Sequence, residues 1–336
     1  MSGGKRILVT GGAGFIGSAL SAQLVAAGHQ VIVVDNLVNG KRENLAGLPE
    51  DRLRLHVVDI RDEAALEPLF QGVEIVYHLA CLGVRHSIHS PLENHAVNAT
   101  ATLGLLRLSQ QQDVARFVQV STSEVYGTAR QVPMTEEHPT FPMTVYGAAK
   151  LAGECYVRAY HETYGMPTVV VRPFNAYGPR CHHEGDSGEV IPKFLLRHLA
   201  GLPKVIFGDG TQTRDFTYVE DTARGILLAG FRDGVVGETL NLGSGREIAV
   251  RELATRVARV AGGVDGGVIH AAPRPGDVLR LYADAQKSRR LLDFVPTVSL
   301  DEGLGHLLAW YRSRGESAEQ LLRQEVVCNW APGAGR

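Results

Sequence analysis

The sequence predicts an α/β protein built on an open, doubly wound parallel sheet. Three observations carry this. Strand-like and helix-like runs alternate from residue 6 to residue 173, the pattern of repeated βαβ units. A glycine-rich turn, "GGAGFIG" at 11–17, joins the first strand to the first helix. Several strands run out at small or polar residues, Asp35, Asp59, Ala80 and Ser121, where sheets of this kind bind ligands.

Each element follows from its residues. "RILVT" is a short β-branched and aliphatic run, and "SALSAQLVAAG" after the glycine turn has a helical pattern. "QVIVVD" is a buried-type strand ending at Asp35. "LRLHVVD" and "EIVYHLA" predict two further strands, ending at Asp59 and near Ala80. "ENHAVNATATLGLLRLSQQQ" predicts one helix, "ARFVQVS" a strand, "TVYGAAKLAGECYVRAYHETYG" a long helix and "PTVVVRP" a strand. Beyond that the alternation loosens. "FNAYGPRCHHEGDSGEV" is a polar loop of the kind that covers a substrate. "IPKFLLRHLAG" and "TARGILLAG" are helical, and "LLDFVPTVSLDEGLGHLLAWYRSRG" is a loop and an amphipathic helix.

A chain of 336 residues is long enough for a large core and two lobes. The expected division gives residues 1–172 and roughly 216–242 to a dinucleotide-binding domain. Residues 173–215 and 243–336 form the second lobe. A formal net charge of −2 leaves no basic footprint for nucleic acid. No apolar run reaches the roughly 18 residues of a membrane helix, and "MSGGKRILVTGG" has no apolar leader, so a cytoplasmic protein is expected. Cys81, Cys155, Cys181 and Cys328 are scattered, which fits a reducing compartment. Cys181-His182-His183 has no second ligand cluster at metal-site spacing, so no metal is expected.

The glycine turn sits in the strand–turn–helix context that a dinucleotide requires. Gly11 permits the tight turn, Gly14 a close approach to a pyrophosphate at the helix N-terminus, and Gly17 close packing of that helix. Asp35, at the end of the second strand, suits the ribose hydroxyls of an adenosine and repels a 2′-phosphate. NAD is therefore expected rather than NADP. The run "VSTSEVYGTA" places Ser121, Thr122, Ser123 and Glu124 beyond the strand "ARFVQVS", at the ligand end of the sheet. Tyr146 and Lys150 lie four apart on one helix face. An ammonium beside a phenol favours the phenolate, so the pair predicts a tyrosine of lowered pKa acting as general base.

These motifs together resemble the extended short-chain dehydrogenase/reductases that modify nucleotide sugars. The resemblance rests on "GGAGFIG", "VVDN", "VYHLA", "STSEVYG", "YGAAK", "RPFNAYGPR", "RDFTYVED", "NLGSG" and "PRPGDV", and covers nearly the whole chain. It implies a Rossmann-type domain, NAD, a nucleotide-sugar substrate and a homodimer formed through helices around 91–112 and 145–164. It implies that Thr122, Tyr146 and Lys150 move the proton at sugar O4 during oxidation at C4. It implies cofactor contacts from Phe15, Ile16, Asn36, Asp59, Ile60, Leu79, Ala80 and Asn98, with Lys150 on the nicotinamide ribose. Val84, Arg85, Asn175, Arg214, Arg274 and Asp277 are the implied substrate residues, and arginine forks suit a diphosphate.

Three reactions share the resulting 4-keto sugar. Ser123 and Glu124 point to 4,6-dehydratase-type elimination, with Glu124 as base for the C5 proton and Ser123 in the relay to the C6 hydroxyl. The segments "VDNLVNGKREN" and "PRPGDVLRLYADAQKSRRLL" look more like a UDP-glucose-type 4-epimerase. A UDP-glucuronate decarboxylase-like enzyme shares "STSEVYG" but not "GVRHSIHSP". A non-catalytic NAD-binding module is the remaining alternative, against which the complete Thr122, Tyr146 and Lys150 set argues.

Overall fold

The computed structural model describes residues 4–185, 187–274 and 277–328. Pro275 and Gly276 of "PRPGDV", Asp186 of the polar loop and the last eight residues of the second lobe lie outside them.

Seven parallel strands form one sheet. In spatial order they are Thr239–Leu242, Thr168–Pro173, Arg116–Val120, Ile75–His78, Arg6–Thr10, Gln30–Val34 and Leu53–His56. The order reverses at Arg6–Thr10, the first strand, from which the chain winds outward both ways. Side chains alternate across the sheet. Ile7, Val9, Val31, Val33, Tyr77 and Val118 point to one face, with Leu20 and Leu24 of helix Phe15–Ala26 and Ile226 of helix Val219–Phe231. Leu8, Ile32, Val34, Val76, Phe117 and Val170 point to the other, with Leu105 and Leu106 of helix Ala101–Gln111 and Val157 of helix Val145–Tyr164. Burial on both faces explains why the strands are continuous apolar runs rather than alternating ones.

Several boundaries differ from expectation. The third and fourth strands end at His56 and His78, before Asp59 and Ala80. The chain must leave the ladder there, and Asp59 is held instead by Arg61 and Asn36. The helix expected over 93–112 is interrupted: Pro91–His95 and Ala101–Gln111 are α-helical, but Ala96–Thr100 is a π-helical turn. Helix 190–199 and the short strand pairs 204–207 with 268–271 and 213–215 with 247–249 form a smaller assembly beside the C-terminal ends of the sheet strands. A third apolar cluster, including Val125, Tyr126, Phe174, Val278 and Leu281, joins the "STSEVYG" segment to the stretch 278–283 of the second lobe. Among the described residues no helix is long and apolar enough to cross a membrane.

Candidate active site

A cavity of about 870 Å³ opens at the C-terminal ends of the strands. Its one end is built by the glycine turn. Gly11 has φ +69°, and a Cβ there would fall 2.7 Å from the Ala80 amide nitrogen. A Cβ at Gly17 would fall 2.1 Å from the Gly11 carbonyl oxygen. The turn thus keeps the open cradle that a pyrophosphate needs, with Gly14, Phe15, Ile16 and Gly17 lining the cavity at the helix N-terminus. Asp35 is buried and also lines the cavity; its carboxylate accepts from the amides of Ala13 (3.0 Å) and Leu37 (2.9 Å). Burial raises its pKa, and those two amides oppose the shift.

Asn36, Asp59, Ile60, Leu79 and Ala80 line the same end. Asp59 sits well below the usual carboxylate range, chiefly through its hydrogen bonds with Arg61. Asn98 does not line the cavity. It is buried, accepts from the Leu82 amide (3.1 Å) and donates to the Leu82 carbonyl (2.8 Å) and to Asn94 (2.9 Å). Its amide is consumed in pinning the loop after the fourth strand. The cradle and the Asp35 carboxylate fit a dinucleotide.

The centre of the cavity is formed by Thr122, Ser123, Glu124, Tyr146 and Lys150. Thr122 caps a short turn, Ser123–Val125, by accepting from the Glu124 amide at 3.1 Å, and its side chain hydrogen-bonds Tyr146. Thr144 caps the long helix by accepting from Gly147 N at 3.1 Å, so that helix starts just before Tyr146. Gly147 is needed for close approach: a Cβ there would lie 2.9 Å from the Glu124 carbonyl oxygen. Helix start and "STSE" turn therefore touch backbone to backbone.

Lys150 is 1% exposed and donates to the Val120 carbonyl at 2.7 Å. The expected lowering of the Tyr146 pKa by Lys150 is not found. Burial pushes the phenol well above its ordinary value, Cys81 and Glu124 add to this, and only the Thr122 hydrogen bond opposes it. The lysine charge is directed at a backbone carbonyl, and burial lowers its own pKa.

Glu124 is also raised by burial, against the pull of Arg214, Arg274 and Arg85 and with a contribution from Asp277. Asp277 accepts from Arg214 at 2.8 Å and from Arg274, fixing the two guanidinium groups side by side. Val84, Arg85, Asn175, Arg214, Arg274 and Asp277 all line the cavity. Thus one space brings together every residue expected in the site except Asn98.

Sequence reasoning missed three features. Glu189 and Lys193, one turn apart at the start of helix Val190–Leu199, line the cavity; burial moves them to about 7 and about 8. Their i,i+4 spacing was the available signal. Cys81 lines the cavity near Tyr146 and Lys150. Lys41 pairs with Glu184 across the cavity rim, beside a 3.3 Å hydrogen bond from Ser187 to Asn39. These contacts join distant segments, and no local pattern announces them.

A doubly wound sheet, a glycine cradle with Asp35, and a Thr-Tyr-Lys set beside it define a dinucleotide-dependent dehydrogenase-type protein. The GDP-mannose 4,6 dehydratase family model matches residues 8–307. A putative UDP-glucose 4-epimerase of Methanocaldococcus jannaschii is 35% identical, over 93% of this chain and 100% of that protein. UDP-glucuronic acid decarboxylase 1 of Xenopus tropicalis is 33% identical over 93% of this chain and 73% of that one. The dTDP-glucose 4,6-dehydratase DesIV of Streptomyces venezuelae, solved with NAD bound, superposes with a TM-score of 0.86 at 37% identity, covering 92% of this chain and 97% of that one. The chain belongs to the extended short-chain dehydrogenase/reductase family of NAD-dependent nucleotide-sugar epimerases, dehydratases and decarboxylases. Its cofactor is NAD.

Proposed function

We propose that this protein is a nucleotide-sugar 4,6-dehydratase acting on a UDP- or dTDP-hexose. The observation that carries the reading is Glu124, a carboxylate lining the cavity on the same short turn as Thr122 and one backbone contact from Tyr146. NAD⁺, when bound, supplies a hydride acceptor for C4 and returns that hydride to carbon. Tyr146, hydrogen-bonded to Thr122, takes the O4 proton as its phenolate, the form that burial disfavours and that the positive nicotinamide of bound NAD⁺ would favour. Lys150 stands on the same helix face, held by the Val120 carbonyl. Glu124 then removes the C5 proton, made acidic by the C4 carbonyl. The C6 hydroxyl departs as water, with Ser123 in its proton relay. Arg214 and Arg274, paired through Asp277, grip the diphosphate, with Asn175, Arg85 and Val84 around the sugar. We assign residues 1–172 and about 216–242 to the cofactor domain. The strand Thr239–Leu242 supports this, since it joins the sheet.

A second reading is 4-epimerisation. The segments "VDNLVNGKREN" and "PRPGDVLRLYADAQKSRRLL" favour it, as do the epimerases among the relatives. The deciding experiment is product NMR after turnover of a panel of UDP-, dTDP- and GDP-hexoses in D2O. Dehydration gives a 4-keto-6-deoxy sugar with deuterium at C5. A C4 epimer free of deuterium overturns the proposal in favour of the second reading.

A further inference from the structure

Glu154 lies one helical turn beyond Lys150 on the catalytic helix and does not line the cavity. Its side chain is 0% exposed. A carboxylate in such a place costs several kcal/mol of desolvation unless it is well paired. It is paired bidentately: Arg172, on strand Thr168–Pro173 and 4% exposed, donates to it at 2.9 and 2.6 Å. Arg158 adds a contact at 3.1 Å from the helix surface. The Arg172 guanidinium also donates to the Tyr126 hydroxyl at 2.8 Å, and Tyr126 donates to Asn241 at 2.7 Å. Tyr126 stands two residues after Glu124 in "STSEVYG".

This buried network has a direction. Through Glu154 it holds the helix carrying Tyr146 and Lys150. Through Arg172 it holds the sixth sheet strand, and through Tyr126 the turn carrying Thr122 and Glu124. We infer that Glu154 is a positioning residue: one turn from Lys150 and tied through Arg172 to Tyr126, it locks the helix in register with the "STSE" turn and sets a negative charge on the Lys150 side of the helix. The inference rests on Tyr146 and Lys150 being the proton-handling pair, and not on which reaction follows oxidation.

The charge environment agrees. Burial lowers the Lys150 pKa, while Cys81 and Glu154 oppose it. The other groups facing Lys150 are the Val120 carbonyl and His78 from the fourth strand. His78 is held neutral by burial and bonds Thr10 (2.7 Å) and Thr102 (3.0 Å). Glu154 itself stays ionised: burial, the largest single influence, opposes its charge, but Arg172, Ser121 and Arg158 together hold it below the usual carboxylate range. Facing Glu154 are Arg172, Arg158 and the Ser121 hydroxyl, with the Tyr126 hydroxyl and the Glu136 backbone carbonyl reached through Arg172. Glu154 is therefore an ionised carboxylate acting on Lys150 at neutral pH.

The test uses Glu154→Gln and the double variant Glu154→Gln/Arg172→Gln, which removes both buried charges and keeps the protein measurable if the single variant does not fold. Lys150 is acylated with acetic anhydride over a pH series and quantified by mass spectrometry. In both variants the reactive, neutral amine is expected to emerge at lower pH than in wild type. With NAD and the sugar substrate saturating, kcat is expected to fall by up to about 10²-fold, the scale for a misplaced catalytic group. KM changes little, and the alkaline limb of kcat moves to lower pH. Glu154→Asp restores part of each effect. An unmoved Lys150 labelling curve in a folded variant overturns the inference, even if activity falls. Undiminished turnover in Tyr146→Phe would instead sink the pair on which it rests.

Discussion

Lys41, in the loop after the second strand, and Glu184, in the loop after the sixth, close an ion pair across the rim of the cavity. Asn39 and Gly40 on one side, and Ser187 and Gly188 on the other, line the space beneath it. Both partners are partly exposed, so the pair contributes no more than about 1 kcal/mol. Lys41→Ala should leave the unfolding midpoint within about a degree or two of wild type. It should speed NAD release by up to about fivefold, the factor that corresponds to 1 kcal/mol. Retention of NAD through timed gel filtration measures this; release no faster than wild type refutes a latch at this rim.

Tyr146→Phe removes one hydroxyl and leaves the ring in place. Turnover should fall by at least about 10²-fold, the usual scale for a lost general base. NAD binding, followed by calorimetry, should stay near wild type. A turnover close to wild type would mean that the O4 proton leaves by another route.

Asp35 accepts two backbone amides while facing the cavity. Asp35→Ala should weaken NAD by about tenfold, or about 1.4 kcal/mol, within the range of one lost charged hydrogen bond. It should also narrow the gap between NAD and NADP, because the anion that repels a 2′-phosphate is gone. Parallel titrations with the two nucleotides decide it. Equal tightness for both in the wild type would contradict this role.

Glu124 has a pKa raised by burial. A base must be ionised to work, so deuterium uptake at C5 should fall as pH drops through a limb lying above the ordinary glutamate value of about 4.3. The sign is fixed: a raised pKa means that the carboxylate is lost earlier on acidification. Glu124→Gln should abolish C5 exchange at every pH while NADH still accumulates. A pH-independent exchange rate would remove Glu124 from that step.

Much of this was written in the sequence. The β-branched runs and the glycine turn had local causes, so the succession of strands along the chain up to residue 173 and the ligand end of the sheet could be read. The placement of Thr122, Tyr146 and Lys150 followed from the sheet rule and one helical turn. Other features depended on distant partners. The π-helical turn at Ala96–Thr100 coincides with Asn98 bonding back to Leu82, sixteen residues away. The state of Tyr146 depends on its burial and on the charges of Cys81 and Glu124 nearby, which no i,i+4 spacing reports. The strand Thr239–Leu242 ends on the first two residues of "NLGSG", a motif whose role in the sheet edge appears only when it pairs with Thr168–Pro173.

Gly147 has a consequence for how such a protein changes over time. Because the start of the catalytic helix touches the backbone at Glu124, neither can drift without the other. The oxidising half of the site is thereby insulated from substitutions on the neighbouring turn. Side chains at 123 and 124 can be exchanged while the backbone that presents Tyr146 stays put. A lineage built this way can acquire a new outcome for the same keto sugar by point substitution, without having to rebuild its oxidation step.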